Sequence, residues 1–208
     1  MEYLTLAIAT GRTSKKAMAL LEESGISFPD YHKKTRKLVI YDETKTVKLI
    51  FVKTADLTTY VEKGAADIGI IGKDTIMEEQ PDVYELLDLN LGKCQLVVAG
   101  FPNQKMQSEA PLIVATKYPL ITKSFFDEKG IRIETIKLNG SIELAPLIGL
   151  SNVIVDIVET GTTLNENGLV QLDKIIDISA RLIVNKASFA TKTEQIGQFI
   201  TKLKAILE

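Results

Sequence analysis

The stretch Val153-Ile154-Val155-Asp156-Ile157-Val158-Glu159-Thr160-Gly161-Thr162-Thr163-Leu164 decides how the chain is read. Its first six residues are β-branched apart from one aspartate, a run that suits a strand with an acid near its end. The run then stops at a strand end bearing Thr-Gly-Thr-Thr. Gly161 can take the positive φ that aims several successive main-chain N–H groups at one point. The hydroxyls of Thr160, Thr162 and Thr163 add short donors, so Glu159 to Leu164 would form a nest for a phosphate monoester. Asp156, just upstream, could accept from ribose hydroxyls or hold a metal. The same residues also make an ordinary strand-to-turn junction capped by threonines, and local chemistry does not choose between the two.

Outward from that stretch, apolar strand-like runs alternate with helix-like ones, the pattern of an α/β fold. Strands are predicted at Leu4–Ala9, Lys37–Tyr41, Val47–Val52, Asp67–Gly72, Tyr84–Leu89, Gln95–Ala99, Leu112–Ala115, Ile131–Ile136, Val153–Val158, Leu172–Ile178 and Arg181–Ala187. Helices are predicted at Ser14–Glu23, Thr54–Glu62 and Leu120–Glu128, each followed by a glycine, with a short helical stretch after Gly140. Thr191 and Glu194 have the spacing of a capping box, followed by the stripe Ile196, Phe199, Ile200, Leu203, Ile206 and Leu207. No repeat, low-complexity tract or linker marks a domain boundary.

Composition narrows the chemistry. The 208 residues are 45% hydrophobic and 25% charged, ordinary for a globular chain able to bury a sizeable core. Cys94 is the one cysteine and reads as a small buried hydrophobe; neither a disulfide framework nor a thiolate cluster is available within one chain. With His32 as the only histidine, a His-based metal site is excluded and a Ser-His-Asp triad disfavoured. No phosphate loop of the G-x-x-x-x-G-K type and no dinucleotide fingerprint occurs. The net charge of −2 argues against a nucleic-acid surface. Residues 1–40 nonetheless hold seven cations against four acids, which suits a small polyanion or, equally, a solvated face. Without a signal-peptide layout or a membrane-length apolar run, a cytoplasmic location and no membrane association are expected.

Glu143, Gly149, Ser151, Ile154, Asp156, Ile157, Thr160, Gly161, Thr163 and Leu164 resemble, at matching spacings, the signature of the ATP phosphoribosyltransferase (HisG) family. The resemblance runs through the chain. Leu6-Ala7-Ile8-Ala9-Thr10-Gly11-Arg12 is similar to the family's first strand and Gly-Arg turn, and Thr35-Arg36-Lys37-Leu38 to its second basic element. Gly64 to Asp74 is similar to its third, and Gly140 to Pro146 to the segment before the signature. Thr10 departs from the pattern, standing where the family often has lysine. The resemblance implies that Arg12 does more, or that Lys15 or Lys73 compensates.

It also implies a two-lobed architecture similar to type II periplasmic binding proteins, with the active site in the interlobe cleft. Lobe I would comprise residues 1–90 plus 179–208, and lobe II 91–178 with the phosphoribosyl pyrophosphate-binding loop. The histidine-binding regulatory domain of long-form members would be absent, leaving a short form partnered by a histidyl-tRNA-synthetase-like regulatory subunit of the HisZ type in a hetero-oligomer. The implied reaction joins ATP to phosphoribosyl pyrophosphate and opens histidine biosynthesis. An adenine ring nitrogen attacks, so no strong base is needed, and the demand falls on positive charge at the leaving pyrophosphate. Arg12 and Arg36 are then the implied catalytic cations. Mg²⁺ would be carried on substrate phosphates rather than in a protein cage. Glu159, Thr160, Gly161, Thr162, Thr163 and Leu164 are implied to bind the 5-phosphate, and Asp156 and Glu143 the ribose or metal. Gly11, Lys15, Lys73, Asp74 and Ser141 are implied to contact ATP or line the cleft. Two other readings fit the α/β pattern or the phosphate nest: a two-lobed small-ligand sensor, and a phosphoribosyltransferase for another base.

Overall fold

Strands rich in β-branched residues, most of them followed by a helix, build two separate sheets in the computed structural model. The structure describes residues 3–32, 36–106 and 109–207, with the main chain only at Arg12. In chain order the elements are β1 (Leu4–Ala9), α1 (Arg12–Glu23), β2 (Val39–Tyr41), β3 (Val47–Val52), α2 (Thr54–Glu62), β4 (Ile68–Gly72), α3 (Lys73–Glu79) and β5 (Val83–Asp88). Then follow β6 (Cys94–Gly100), β7 (Leu112–Thr116), α4 (Pro119–Glu128), β8 (Ile133–Lys137), α5 (Leu144–Leu147), β9 (Val153–Val158), α6 (Thr162–Glu166) and β10 (Val170–Ile178). β11 (Ala180–Asn185), α7 (Lys186–Thr191) and α8 (Thr193–Leu207) complete the chain. It divides into two compact units: Met1–Gly92 with Ser179–Glu208, and Lys93–Ile178.

The first unit has a six-stranded sheet in the order β2-β3-β1-β4-β11-β5. β3, β1 and β4 are parallel, whereas β11 runs antiparallel to both β4 and β5. Alternation along β1 sends Leu6 and Ile8 to one face, where Leu21 of α1 and Ile196, Phe199 and Leu203 of α8 cover them. Ala7 points the other way, into a cluster with Leu57 and Val61 of α2. Helices on both faces explain why the central strands are apolar without alternation. Gly69 lets α2 approach β4, because a Cβ there would lie 2.8 Å from Leu57 Cδ2 and 2.8 Å from Val61 Cγ2.

The second unit repeats the arrangement without the extra edge strand, in the order β10-β6-β9-β7-β8. β8, β7 and β9 are parallel, and β6 runs antiparallel to β9 and β10. In each unit the antiparallel strand beside the parallel trio is the one that enters from the other unit, β11 following β10 and β6 following β5. One face of the second sheet is closed by Ile142, Ala145 and Leu164, packed with Val97, Ala99, Ala115 and Ile154. Helix α4 contributes Ile121 and Phe126, both buried. Among the described residues no helix is long and apolar enough to cross a membrane.

Two expectations near the C-terminus are corrected. The strand predicted to reach Ala187 ends at Asn185, whose side chain caps α7 by accepting from Ser188 N at 2.9 Å. Its amide also donates to Val61 O and Glu62 O at 2.8 and 3.0 Å, so residues far away in sequence stop the strand there. Thr191 is no capping-box residue either. It closes α7 and its hydroxyl donates back to Ala187 O at 2.9 Å, while α8 begins at Thr193. Helix α3 follows β4 without a break and α6 follows the Thr-Gly turn directly, which is why neither stands out as a separate periodic run. We expect Gly69→Ala to lower stability by about 1–3 kcal/mol through overpacking of the α2–β4 contact. Urea unfolding measures it, and an unchanged midpoint would show that the contact repacks freely.

Candidate active site

In an open sheet, ligands bind beyond the carboxyl ends of the strands, where successive connections leave in opposite directions. In the second unit that point lies between β7 and β9. From β7 the chain passes through α4 to β8 on one side, and from β9 through α6 toward β10 on the other. Thr116 pins the junction. Its buried hydroxyl donates to Val155 O at 2.8 Å and accepts from Tyr118 N at 2.9 Å, while its carbonyl accepts from Leu138 N at 3.0 Å. The carboxyl ends of three adjacent strands are thereby fixed relative to one another. Thr116 was not among the residues singled out from sequence, although a threonine ending an apolar run before Tyr118-Pro119 was the available signal.

The Thr-Gly turn sits at this junction. Glu159 and Thr160 are exposed, and Gly161 has φ 77° and ψ −1°, the left-handed conformation that a β-branched residue resists. The hydroxyls of Thr160 and Thr162 lie 3.0 Å apart, and Thr162 N reaches Thr160 Oγ1 at 3.4 Å. Gly161 O accepts from Asn165 N at 3.1 Å, and Thr163 O from Asn167 Nδ2 at 2.8 Å. Leu164 buries its side chain in the core and anchors the turn from below, so any contribution to an anion comes from its main chain. Asp156 is half-buried on β9, its Oδ1 accepting from Ile157 N at 2.8 Å. By alternation it shares a face with Ile154 and Val158, the face covered by Ile142, Ala145 and Leu164. Glu143, half-buried, and Ser141, exposed with φ 47°, belong to the connection leaving the carboxyl end of β8. The second unit therefore gathers Asp156, Glu143, Ser141 and Glu159 to Leu164 at the carboxyl ends of parallel strands.

In the first unit the corresponding point lies between β1 and β4, which pair at Leu6–Ile68, Ala7–Gly69 and Ile8–Ile70. The turn after β1 contains Gly11 at φ 139° and ψ −159°, a conformation essentially confined to glycine, and its carbonyl accepts from Ser14 Oγ at 2.5 Å. Arg12 opens α1; its side chain lies outside the described residues. Lys15 is exposed one turn on. At the end of β4, Lys73 pairs with Glu85 at 2.6 Å. Asp74 is buried and folds back over Gly72, where an added Cβ would meet its Oδ1 at 2.1 Å. Arg36 is exposed between α1 and β2, and its predicted neighbour Thr35 lies outside the described residues. Gly11, Arg12, Lys73 and Asp74 thus come together at the carboxyl ends of β1 and β4, whereas Arg36 lies on the segment leading to the edge strand β2. Sequence reasoning placed Glu85 in a strand without seeing that it would hold Lys73.

Residues 53–205 match the sequence model described as HisG: ATP phosphoribosyltransferase. The ATP phosphoribosyltransferase of Oceanobacillus iheyensis is 49% identical over 207 residues, covering 100% of both chains. The chain belongs to the ATP phosphoribosyltransferase family. Its activity is phosphoribosyl transfer to ATP, a pentosyltransferase reaction and the first step of histidine biosynthesis. Among solved structures, the ATP phosphoribosyl transferase (HisG:HisZ) complex from Thermotoga maritima superposes with a TM-score of 0.84 at 34% identity, covering 98% of each chain. The VFT2 domain of Bordetella pertussis BvgS superposes with a TM-score of 0.61 at 12% identity, covering 98% of this chain and 88% of that one. That second likeness is one of fold alone, of the type II periplasmic-binding-protein kind. For this ATP phosphoribosyltransferase chain, Gly161→Val should abolish phosphoribosyl pyrophosphate binding in titration calorimetry while leaving β9 folded. The left-handed conformation alone costs a β-branched residue about 1–2 kcal/mol, and unchanged binding would rule the turn out as the phosphate site.

Proposed function

We propose a division of labour in which the Glu159–Leu164 turn holds the 5-phosphate of phosphoribosyl pyrophosphate and the cations of the first unit serve ATP and the departing pyrophosphate. The observation that carries this reading is Gly161 in the left-handed conformation at the β7–β9 switch point, with the Thr160 and Thr162 hydroxyls 3.0 Å apart beside it. A turn so built presents main-chain N–H groups and hydroxyls together, the donor set that a dianionic phosphate monoester requires.

In the reaction the bond from ribose C1′ to pyrophosphate breaks and a bond from C1′ to an adenine ring nitrogen forms. The leaving oxygen takes the electron pair, so negative charge grows on pyrophosphate while the ribose passes through an oxocarbenium-like state. The attacking nitrogen already carries a lone pair and needs no proton removed. What lowers the barrier is alignment of the reactants and positive charge at the leaving group. Arg12 and Arg36 supply that charge in this reading, with guanidinium groups suited to bidentate phosphate contacts. Asp156 and Glu143 accept hydrogen bonds from the ribose hydroxyls.

Their carboxylates also fit Mg²⁺, which prefers hard oxygen ligands and retains most of its coordination for water and substrate phosphates. When bound, Mg²⁺ neutralises charge on the pyrophosphate oxygens. The chain works as the catalytic subunit with a histidyl-tRNA-synthetase-like subunit of the HisZ type, in keeping with the HisG:HisZ composition of the Thermotoga maritima complex. A cytoplasmic location follows from the biosynthetic role.

An absorbance assay for phosphoribosyl-ATP, run with and without the regulatory subunit, tests the assignment. Arg12→Ala and Arg36→Ala should each lower kcat by about tenfold to a hundredfold with smaller changes in KM, as expected for interactions that strengthen in the transition state. Near-normal turnover in either variant would remove that arginine from the leaving-group role.

A further inference from the structure

The carboxyl end of β4 carries an ion-pair cluster that reaches across two further strands. Lys73, the first residue after β4, passes its side chain over β11 to Glu85 on β5, with Nζ 2.6 Å from Oε2. The other oxygen of the same carboxylate, Oε1, lies 3.6 Å from Nη1 of Arg181 on β11. Arg181 Nη2 in turn pairs with Asp88 Oδ2 at 3.0 Å, and Asp88 Oδ1 accepts from Ser179 Oγ at 2.7 Å. The main chain fixes the same place, since Lys73 N donates to Ser179 O at 3.0 Å. Lys73 and Glu85 each keep only about a quarter of their side-chain surface, 26% and 27%, so water screens this pair less than a fully exposed one.

We propose that Glu85 is a positioning residue for ATP binding: it holds the Lys73 ammonium across β11, beside its own carboxylate, and there the ammonium meets the triphosphate. The proposal rests on the assignment of Lys73 to the ATP site. A lysine stem is long and flexible, and a cation that must be ordered on binding loses affinity to that ordering. Glu85 orders it beforehand. Lys73 and Arg181 balance Glu85 and Asp88 in charge, so what Glu85 supplies is the position of the ammonium and not a surplus of positive charge. Of the three hydrogens on Lys73 Nζ, the contact with Glu85 uses one, and the others can donate to phosphate oxygens. Arg181 is the second link: it sets the Glu85 carboxylate through one nitrogen while Asp88 holds the other.

Steady-state kinetics of Glu85→Gln, Lys73→Ala and the double variant test this in the assembled enzyme. Glu85→Gln keeps the size and a hydrogen-bond acceptor but loses the charge. It should raise KM for ATP by about threefold to tenfold, with kcat and KM for phosphoribosyl pyrophosphate within about twofold. Lys73→Ala should raise KM for ATP at least as much, and adding Glu85→Gln to it should change nothing further. A wild-type KM for ATP in Lys73→Ala would overturn the underlying assignment of Lys73. A raised KM there, with Glu85→Gln either silent or equally effective without Lys73, would keep that assignment and overturn the positioning role. Thermal melting controls for folding; if Glu85→Gln melts early, Glu85→Asp carries the test, since a shorter carboxylate should raise KM for ATP less than loss of Lys73 does. Equal loss in Glu85→Asp and Lys73→Ala, with no residual dependence on the carboxylate, would also overturn the proposal.

Discussion

The first unit depends on the carboxylate of Asp67, because its chain leaves after Gly92 and returns only at Ser179. A returning segment must be fastened to the strands already in place. Asp67 does so with every polar atom it has. Its Oδ2 accepts from Thr5 N at 2.7 Å and pairs with Lys192 Nζ at 3.0 Å, and its Oδ1 accepts from Ser188 Oγ at 2.6 Å. Its main-chain N–H donates to Thr5 O, and its carbonyl accepts from Asn185 N, both at 2.9 Å. One buried residue at the start of β4 therefore joins β1, the end of β11, α7 and the lead into α8. A carboxylate buried this far is tolerated only when such donors surround it, and removing one leaves a charge without compensation.

That fastening has consequences at the far end of the same strands. β4 is held at its amino end by Asp67 and along its length by β1 and β11, so its carboxyl end, with Lys73 and Asp74, has a defined position in the sheet. The second unit solves the same problem differently. There the pin is at the carboxyl edge itself, where Thr116 ties β7 to β9 and to the connection beyond β8. The Thr-Gly turn consequently emerges from a strand whose neighbours are already set. Both strand-end clusters rest on parallel strands, whose side chains are committed to the core and whose ends and loops remain for chemistry.

Legibility in the sequence tracked how local the deciding interactions are. Val47–Val52, Thr54–Glu62 and Val153–Val158 were delimited to the residue, because a β-branched run or an amphipathic stripe with a following glycine is local information. The end of β11 was not, since Asn185 stops it by bonding to Val61 and Glu62 over a hundred residues away. The site divides along the same line. Gly161 was readable as a turn glycine with positive φ, and the structure has it so. The chemistry of Lys73 was not readable, because Glu85 and Arg181 reach it only through the strand order β4-β11-β5. Arg12 and Arg36 were named from resemblance to a family, not from any local pattern that marks an arginine as catalytic.

The scarcity of histidine becomes intelligible once the reaction is considered as a problem in charge. An enzyme that must remove a proton from its nucleophile needs a group titrating near neutrality, and the sole imidazole here, His32, is exposed on the segment between α1 and β2. Phosphoribosyl transfer to a ring nitrogen makes no such demand. Its barrier is set by separating pyrophosphate from a ribose that is turning cationic, and fixed donors answer that need without changing protonation state. Main-chain N–H groups, hydroxyls and guanidinium groups are all of this kind: they neither gain nor lose a proton across the physiological range. A fold that presents two strand-end turns and holds them stiffly is therefore well matched to the chemistry. What the chemistry still demands is positive charge beside the leaving group, a demand that fixed cations meet without a change of protonation state.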